Sequence, residues 1–232
     1  MLHGGPGAPG STASVARALA AGGIPALEPL QAGTSIEGQL DELHDVLLAR
    51  SEPPVVLVGW SWGAWLALLF AARHPSLVRK AVLVGSGPFE ERYAAEIRAT
   101  RLSRLTEDER VEYGRGELSS LARLSAMADA YDALPHADET LELQPAVHRL
   151  VSAEAAELRR SGVLLERVTG VSCPVVAIHG DHDPHPAEGV RAPLARVLDE
   201  FSFVLLARCG HEPWNERYAR DRFFKIVARE CR

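Results

Sequence analysis

The run Val55-Val56-Leu57-Val58 passes directly into Gly59-Trp60-Ser61-Trp62-Gly63, and a helical pattern begins at Trp62 and stops before Pro75. A short β-branched run that is apolar on both faces reads as a buried parallel strand. A strand that turns this sharply into a helix crowds the residues at the turn. Gly59 and Gly63 remove Cβ atoms where neighbouring backbones would meet, and the turn lifts the Ser61 hydroxyl clear of the sheet. The helix N-terminus below it favours developing negative charge.

Three more runs have the same character: Ala81-Val82-Leu83-Val84, Val175-Val176-Ala177-Ile178 and Phe203-Val204-Leu205-Leu206. Residues 24–30 form a weaker candidate, edge-like because of Pro25 and Pro29. Helical patterns alternate with the runs, over residues 11–20, 34–50, 62–73, 188–198 and 215–228. The second opens with a capping-box pattern, Thr34-x-x-Glu37, and places Ile36, Leu40, Leu43 and Leu47 on one face. Pro193 is expected to kink the fourth, and Phe223, Phe224 and Val227 anchor the fifth. Strand alternating with helix predicts an α/β class: a mostly parallel sheet with helices on both faces. Residues 89–167 break the rhythm. They contain no β-branched run and are rich in Ala, Leu, Arg and Glu, with breaks at Gly114-Arg115-Gly116, Pro135 and Pro145. They read as a helical insertion dividing a core of residues 1–88 and 168–232.

The balance of 25 basic and 31 acidic residues, net −6, contains no basic block, so no nucleic-acid footprint is expected. No apolar run approaches the ~18 residues that span a membrane, and no charged-then-apolar leader opens the chain. Cys173, Cys209 and Cys231 are too scattered for a disulfide framework or thiolate zinc site and fit a reducing, cytoplasmic setting.

The polar chemistry sits at strand ends. A serine hydroxyl needs a base to become a nucleophile, and the base needs an orienting acid. Val175–Ile178 leads to His179-Gly180-Asp181-His182-Asp183-Pro184, and Phe203–Leu206 leads to Cys209-Gly210-His211-Glu212. Ser61, then an Asp, then His211 follow one another along the chain, each after the carboxyl end of a strand, where open α/β sheets place ligands. His211 is the candidate base. Asp181 and Asp183 are both candidates for the acid. An acyl-transfer site also needs two backbone donors for the oxyanion, and the N–H of Trp62, next after the serine, is one. At the chain start, His3-Gly4-Gly5-Pro6-Gly7 would let backbone N–H groups approach a ligand oxygen closely, or it would be a loose tail.

On His3-Gly4-Gly5-Pro6-Gly7, the Ser61-Trp62-Gly63 elbow, the Gly180-x-x-Asp183 step and Gly210-His211, the chain resembles the α/β-hydrolase superfamily, in particular its proline iminopeptidase-like branch. The resemblance covers nearly everything outside the insertion. It implies an α/β-hydrolase fold in which residues 89–167 form a helical cap. It selects Asp183 as the acid, leaves Asp181 to cap the turn, and makes the N–H of Gly5 the second oxyanion donor with Gly4 close by. It also implies a serine hydrolase that cleaves a carboxylic ester, an amide or an N-terminal peptide bond of a small-molecule substrate through an acyl-enzyme. Similar proteins carry two or three strands before this glycine-rich motif, whereas here only Met1 and Leu2 precede His3. The N-terminal strands of the pattern are therefore expected to be missing, at a cost in unpaired backbone groups.

Two other readings compete: a non-catalytic ligand-binding protein on a hydrolase fold, and a metallohydrolase using His179, Asp181, His182, Asp183 and His185, whose spacing does not match His-x-His-x-Asp-His. The serine reading needs no cofactor and no metal. Trp65 is expected in the core, Trp60 as a substrate-pocket wall, and Trp62 either in the wall or outside it. Glu90 and Glu91 are candidate anchors for a substrate amine or, more simply, a solvated helix start. His74, His136 and His148 read as surface or capping residues, and Cys209 as a buried thiol.

Overall fold

The computed structural model describes residues 1–135 and 140–232. His136 lies outside the described residues. Along the chain, helices α1 (Ala13–Ala21) and α2 (Ile36–Arg50) precede strand β1 (Val55–Trp60), helix α3 (Trp62–Arg73) and strand β2 (Val78–Val84). Helices α4 (Glu91–Ser103), α5 (Glu107–Arg115), α6 (Leu118–Asp129), α7 (Pro145–Arg160) and α8 (Val163–Val168) follow. Strand β3 (Val175–Gly180), helix α9 (Glu188–Val197), strand β4 (Phe201–Leu206) and helix α10 (Arg220–Glu230) complete the chain.

The four strands pair in the order β1-β2-β3-β4, all parallel. Leu57 pairs with Ala81, Ala81 with Val175, and Val175 with Phe201. Because side chains alternate along a strand, this register splits the core in two. Leu57, Ala81, Leu83, Val175 and Ala177 pack with α2, α3, α8 and α9 on one face. Val58, Val82, Val84, Val176 and Ile178 pack with Val15 and Leu19 of α1 and Phe223 and Val227 of α10 on the other. The fold is therefore α/β, with helices on both faces, as the strand and helix patterning predicts. Between β2 and β3, Leu105 and Tyr113 pack with Leu124 and Ala128 of α6 in a separate small cluster, whereas Val147 and Val151 of α7 and Leu164 and Val168 of α8 join the main core.

Three local expectations shift. Residues 24–30 carry no strand ladder; prolines at positions 25 and 29 have no N–H to donate. The cap of α2 is Ser35, whose Oγ accepts from the Gly38 N–H at 3.1 Å. No capping box forms there: with Ser35 as the cap, the third helical residue is Gly38, which has no side chain, and Glu37 pairs with Arg73 and Arg167 instead. The C-terminal helix starts at Arg220, since Pro213–Asn215 make a tight 3₁₀ turn first. At the N-terminus, Leu2 forms a parallel bridge with Gly59: its N–H donates to Val58 O at 2.7 Å and its carbonyl accepts from Trp60 N–H at 3.0 Å.

The elbow depends on its glycines. A Cβ on Gly59 would lie 2.0 Å from the Gly63 carbonyl oxygen, and one on Gly63 would lie 2.3 Å from the Leu2 carbonyl oxygen. Both obstacles are backbone and cannot swing away. Gly59→Ala is expected to cost more than about 4 kcal/mol of stability, the range of severe core disruption. Gly114→Ala, inside α5 with nothing within 4 Å of its added Cβ, should gain up to about 1 kcal/mol of helix propensity. Urea unfolding of the two variants checks the contrast, and an equal response would contradict this account of the elbow.

Candidate active site

Ser61 sits between β1 and α3 with φ 53° and ψ −114°. A non-glycine residue held there carries local strain that the surroundings must impose. The imposition is visible. The Ser61 N–H donates to Val84 O at 2.9 Å, which fastens the turn to the end of β2, and the close Gly59–Gly63 approach leaves the chain no wider path. Ser61 is half-exposed rather than sealed into the core.

Asp183 and His211 come from the loops after β3 and β4, which are adjacent strands. The loops touch tightly: a Cβ on Gly180 would lie 2.2 Å from Cys209 O. His211 Nδ1 lies 2.7 Å from Asp183 Oδ2, and both residues are buried. The carboxylate can only accept, so Nδ1 carries the proton and Nε2 is left as the basic nitrogen. Three contacts seat the His211 backbone and ring. Its N–H donates to Asp129 O at 3.2 Å, its carbonyl accepts from Trp60 Nε1 at 3.0 Å, and a Cβ on Gly85 would lie 3.0 Å from its Nδ1. Trp60 is the residue before Ser61, and Gly85 follows the Val84 carbonyl that binds Ser61. The histidine is thus anchored to both segments that hold the serine.

Burial resists charge on His211, but the Coulomb pull and hydrogen bond of Asp183 outweigh it, and the imidazole is raised above its ordinary value. Burial also resists charge on Asp183. The imidazoles of His211, His185 and His179, with the His185 hydrogen bond, outweigh it and hold the carboxyl well below the usual carboxylate range. Asp181 faces elsewhere: its Oδ1 accepts from the Cys209 N–H at 3.1 Å. Cys209 is fully buried, and burial, then the nearby carboxylates, push its thiol up.

The glycine-rich start is an ordered loop. His3 is buried; its Nδ1 donates to Gly4 O and its Nε2 accepts from Gln31 N–H. Gly5 has φ +115°, and a Cβ on Gly4 would lie 2.7 Å from the Trp60 ring. The loop therefore packs directly against the elbow. Among the described residues, neither the Gly5 N–H nor the Trp62 N–H has a hydrogen-bond acceptor. Both stay available for a ligand oxygen.

Gly5, Trp60 and His211 share the wall of a cleft of about 720 Å³. Ser61 and Asp183 are not part of that wall. The opposite side is mostly α6, including Leu121, Ala122 and Met127. Of the tryptophans at the motifs, Trp60 lines the cleft. Trp62 turns away, its Nε1 donating to Gln39 Oε1 at 2.9 Å, and Trp65 is buried in the core. Glu90 is taken by Arg92 and Arg196, and Glu91 by Arg159, so neither carboxylate is free to hold an amine.

Sequence reasoning missed three contributors. His148, read as a surface or capping residue, lines the cleft and donates from Nδ1 to Pro6 O at 3.1 Å. Arg101 and buried Asp129 form a two-point ion pair in the cleft wall. Glu216, buried, accepts from Gly210, Tyr131 and Asp132 N–H groups at 2.8 Å each and ties the histidine loop to the insertion. All three join separate segments, and no local pattern announces them.

Asp183, His185 and His211 offer potential metal-ligand atoms within 4.8 Å of one another. Both imidazole Nδ1 atoms already point protons at the carboxylate, so a cation would compete for the same lone pairs. His179, a candidate ligand in the metallohydrolase reading, lies outside that group and donates from Nε2 to His185 O at 2.8 Å.

A parallel α/β sheet with an elbow serine, and with an Asp–His pair from neighbouring strand ends anchored to the segments that hold that serine, has the layout of an α/β hydrolase. The chain belongs to the alpha/beta hydrolase family, whose model matches residues 1–225. It is 27% identical over 180 residues to the pimeloyl-(acyl-carrier protein) methyl ester esterase of Nitrosomonas europaea, covering 75% of this chain and 71% of that protein. To the esterase of the same name from Aromatoleum aromaticum it is 28% identical over 205 residues, covering 82% and 80%. The proline iminopeptidase of Mycobacterium smegmatis shares the fold, with TM-score 0.70 at 20% identity and coverage of 99% and 88%. VinJ shares it with TM-score 0.68 at 17% identity and coverage of 100% and 90%. Among the described residues, no helix is long and apolar enough to cross a membrane.

Proposed function

We propose that this hydrolase is a serine esterase acting on a carboxylic ester of a small-molecule substrate. The buried 2.7 Å Asp183–His211 pair beside the strained elbow serine carries the reading. Ser61 Oγ attacks the ester carbonyl carbon while His211 Nε2 takes the hydroxyl proton. Asp183 stabilises the imidazolium, and the N–H groups of Gly5 and Trp62 receive the oxyanion, with Gly4 allowing the close packing of that loop. The C–O bond to the alcohol breaks as His211 returns the proton to the leaving oxygen. A water, deprotonated by His211, then frees the acid and regenerates Ser61. Trp60 forms one wall of the acyl site.

The esterase names of the relatives support an ester over an amide or N-terminal peptide bond. So does the engagement of Glu90 and Glu91 by arginines, which leaves no free carboxylate there for a substrate amine. The free thiols suit a reducing, cytoplasmic setting.

A fluorophosphonate probe, read by mass spectrometry of the labelled peptide, tests the reading together with a panel of p-nitrophenyl esters and prolyl arylamides. Ser61 should be the labelled residue, and esters should be preferred. His211 acts only when neutral, and its pKa is raised, so labelling and hydrolysis should fall as pH drops through a value above the ordinary 6.5. A folded protein that takes no label would leave a binding protein as the better reading. Activity lost to a chelator and restored by metal would favour the metallohydrolase.

A further inference from the structure

Asp183 serves two imidazoles, and only one belongs to the proposed reaction. His211 Nδ1 meets Oδ2, while His185 Nδ1 lies 2.8 Å from Oδ1 and the His185 backbone N–H donates to the same oxygen at 2.9 Å. The two imidazole rings lie against each other, centroids 4.6 Å apart and tilted by 33°. We infer that His185 is a positioning residue: it occupies one oxygen of Asp183, presents the other to His211, and so sets how tightly His211 holds its proton. This inference rests on the proposed role of His211 as the base.

An ionised carboxylate accepts and never donates, so His185 must be the Nδ1–H tautomer. His179, from β3, fixes the His185 backbone by donating from Nε2 to its carbonyl, and that Nε2 stays 3.6 Å from Asp183 Oδ2, beyond hydrogen-bond reach. The other charged groups acting on Asp183 and the two imidazoles are Arg101 of α4 and Asp129 of α6, already bound to each other, and Arg104 just after α4, which acts on Asp183 and donates to Ala128 O at 2.8 Å. Burial pushes the His185 imidazole down to about 4 despite the attraction of Asp183. A neutral His185 therefore donates to the carboxylate without adding a second positive charge beside His211. A donor on Oδ1 withdraws electron density that would otherwise strengthen the hold on the His211 proton. Without that donor, Asp183 binds His211 Nδ1–H more strongly, and His211 becomes the stronger base.

The test compares His185→Ala, which removes the side-chain donor, with His185→Asn, whose side-chain amide keeps an N–H on Cγ where Nδ1 stood. Two readouts follow the proton. One is the acid limb of kcat/KM with a p-nitrophenyl ester. The other is side-chain ¹⁵N NMR of the histidines across pH 5.5–8.5 in the whole chain. The Ala variant should move the His211 titration up by about one pH unit, and Asn should return most of that shift. An unmoved His211 titration in folded His185→Ala would overturn the inference, as would Ala and Asn variants that behave alike. If the Ala variant does not fold, the wild-type spectrum decides: a neutral Nδ1–H tautomer throughout supports the inference, and an Nε2–H tautomer or a titrating His185 overturns it. NMR reads His211 whether or not esters are cleaved. A protein with no esterase activity would sink the proposed function while still reporting on His185.

Discussion

Ser61→Ala and His211→Ala should each lower kcat for ester hydrolysis by about 10⁴–10⁶, and the double variant should lose little more. In the proposed step, the serine is a nucleophile only while the imidazole removes its proton, and the imidazole is useful only while a hydroxyl is there to activate. Removing either ends the same event. The Gly5 and Trp62 N–H groups and the cleft remain in both variants, so a residual rate above water should survive. The Ser61 backbone is held from outside, by Val84 O and by the glycine contacts of the elbow, so Ser61→Ala should fold as wild type. Steady-state kinetics on the three variants, with circular dichroism as the control for folding, makes the check. Losses that multiply to the product of the two single losses would contradict a shared event.

The second large effect separates two acids two residues apart. Asp183→Asn should lower kcat by about 10⁴, while Asp181→Asn should change it by less than about tenfold. In the first variant, the His185 Nδ1–H and backbone N–H both demand an acceptor at the position of Oδ1. They draw the amide oxygen to their side and leave the –NH₂ group facing His211. The imidazole must then accept at Nδ1 and carry its proton on Nε2, the nitrogen that should receive the serine proton. In Asp181→Asn, an oxygen remains for the Cys209 N–H, the hydrogen bond this side chain makes among the described residues. Parallel kinetics on the two variants gives the ranking, and the reverse order would move the acid to Asp181.

Much of the fold was legible because the signals are local. A β-branched run apolar on both faces has few alternatives to a parallel strand, and β1 to β4 fall on the four such runs; the expected burial fails at β4, which pairs only with β3 at the sheet edge among the described residues and leaves Leu205 exposed. The elbow was legible for the same reason: a strand, two glycines flanking a serine and a helix are contiguous in sequence. Boundaries were harder. Ser35 rather than Thr34 caps α2, so Gly38 takes the third helical position and Glu37 pairs with arginines from two other segments. Residues 24–30 looked strand-like in composition, but their prolines lack the donors that a ladder needs.

The candidate site divides along the same line. Which residue types stand at the strand ends, and in what order, is written in the chain itself, because parallel strands put their carboxyl ends on one edge. That edge carries Ser61, Asp183 and His211, each just after the end of its own strand. The residues alone left Asp181 and Asp183 open, and resemblance favoured the second. Only the packing of the β3 and β4 loops places Asp183 against His211 and Asp181 against a backbone N–H. Likewise, nothing in the local pattern says that Trp60 faces the cleft and Trp62 faces Gln39, that Arg101 pairs with Asp129, or that His185 shares the carboxylate with His211. Those contacts depend on distances across folded segments, and burial makes them consequential: with water excluded, a neutral donor or a paired charge a few ångströms away changes how readily a proton moves.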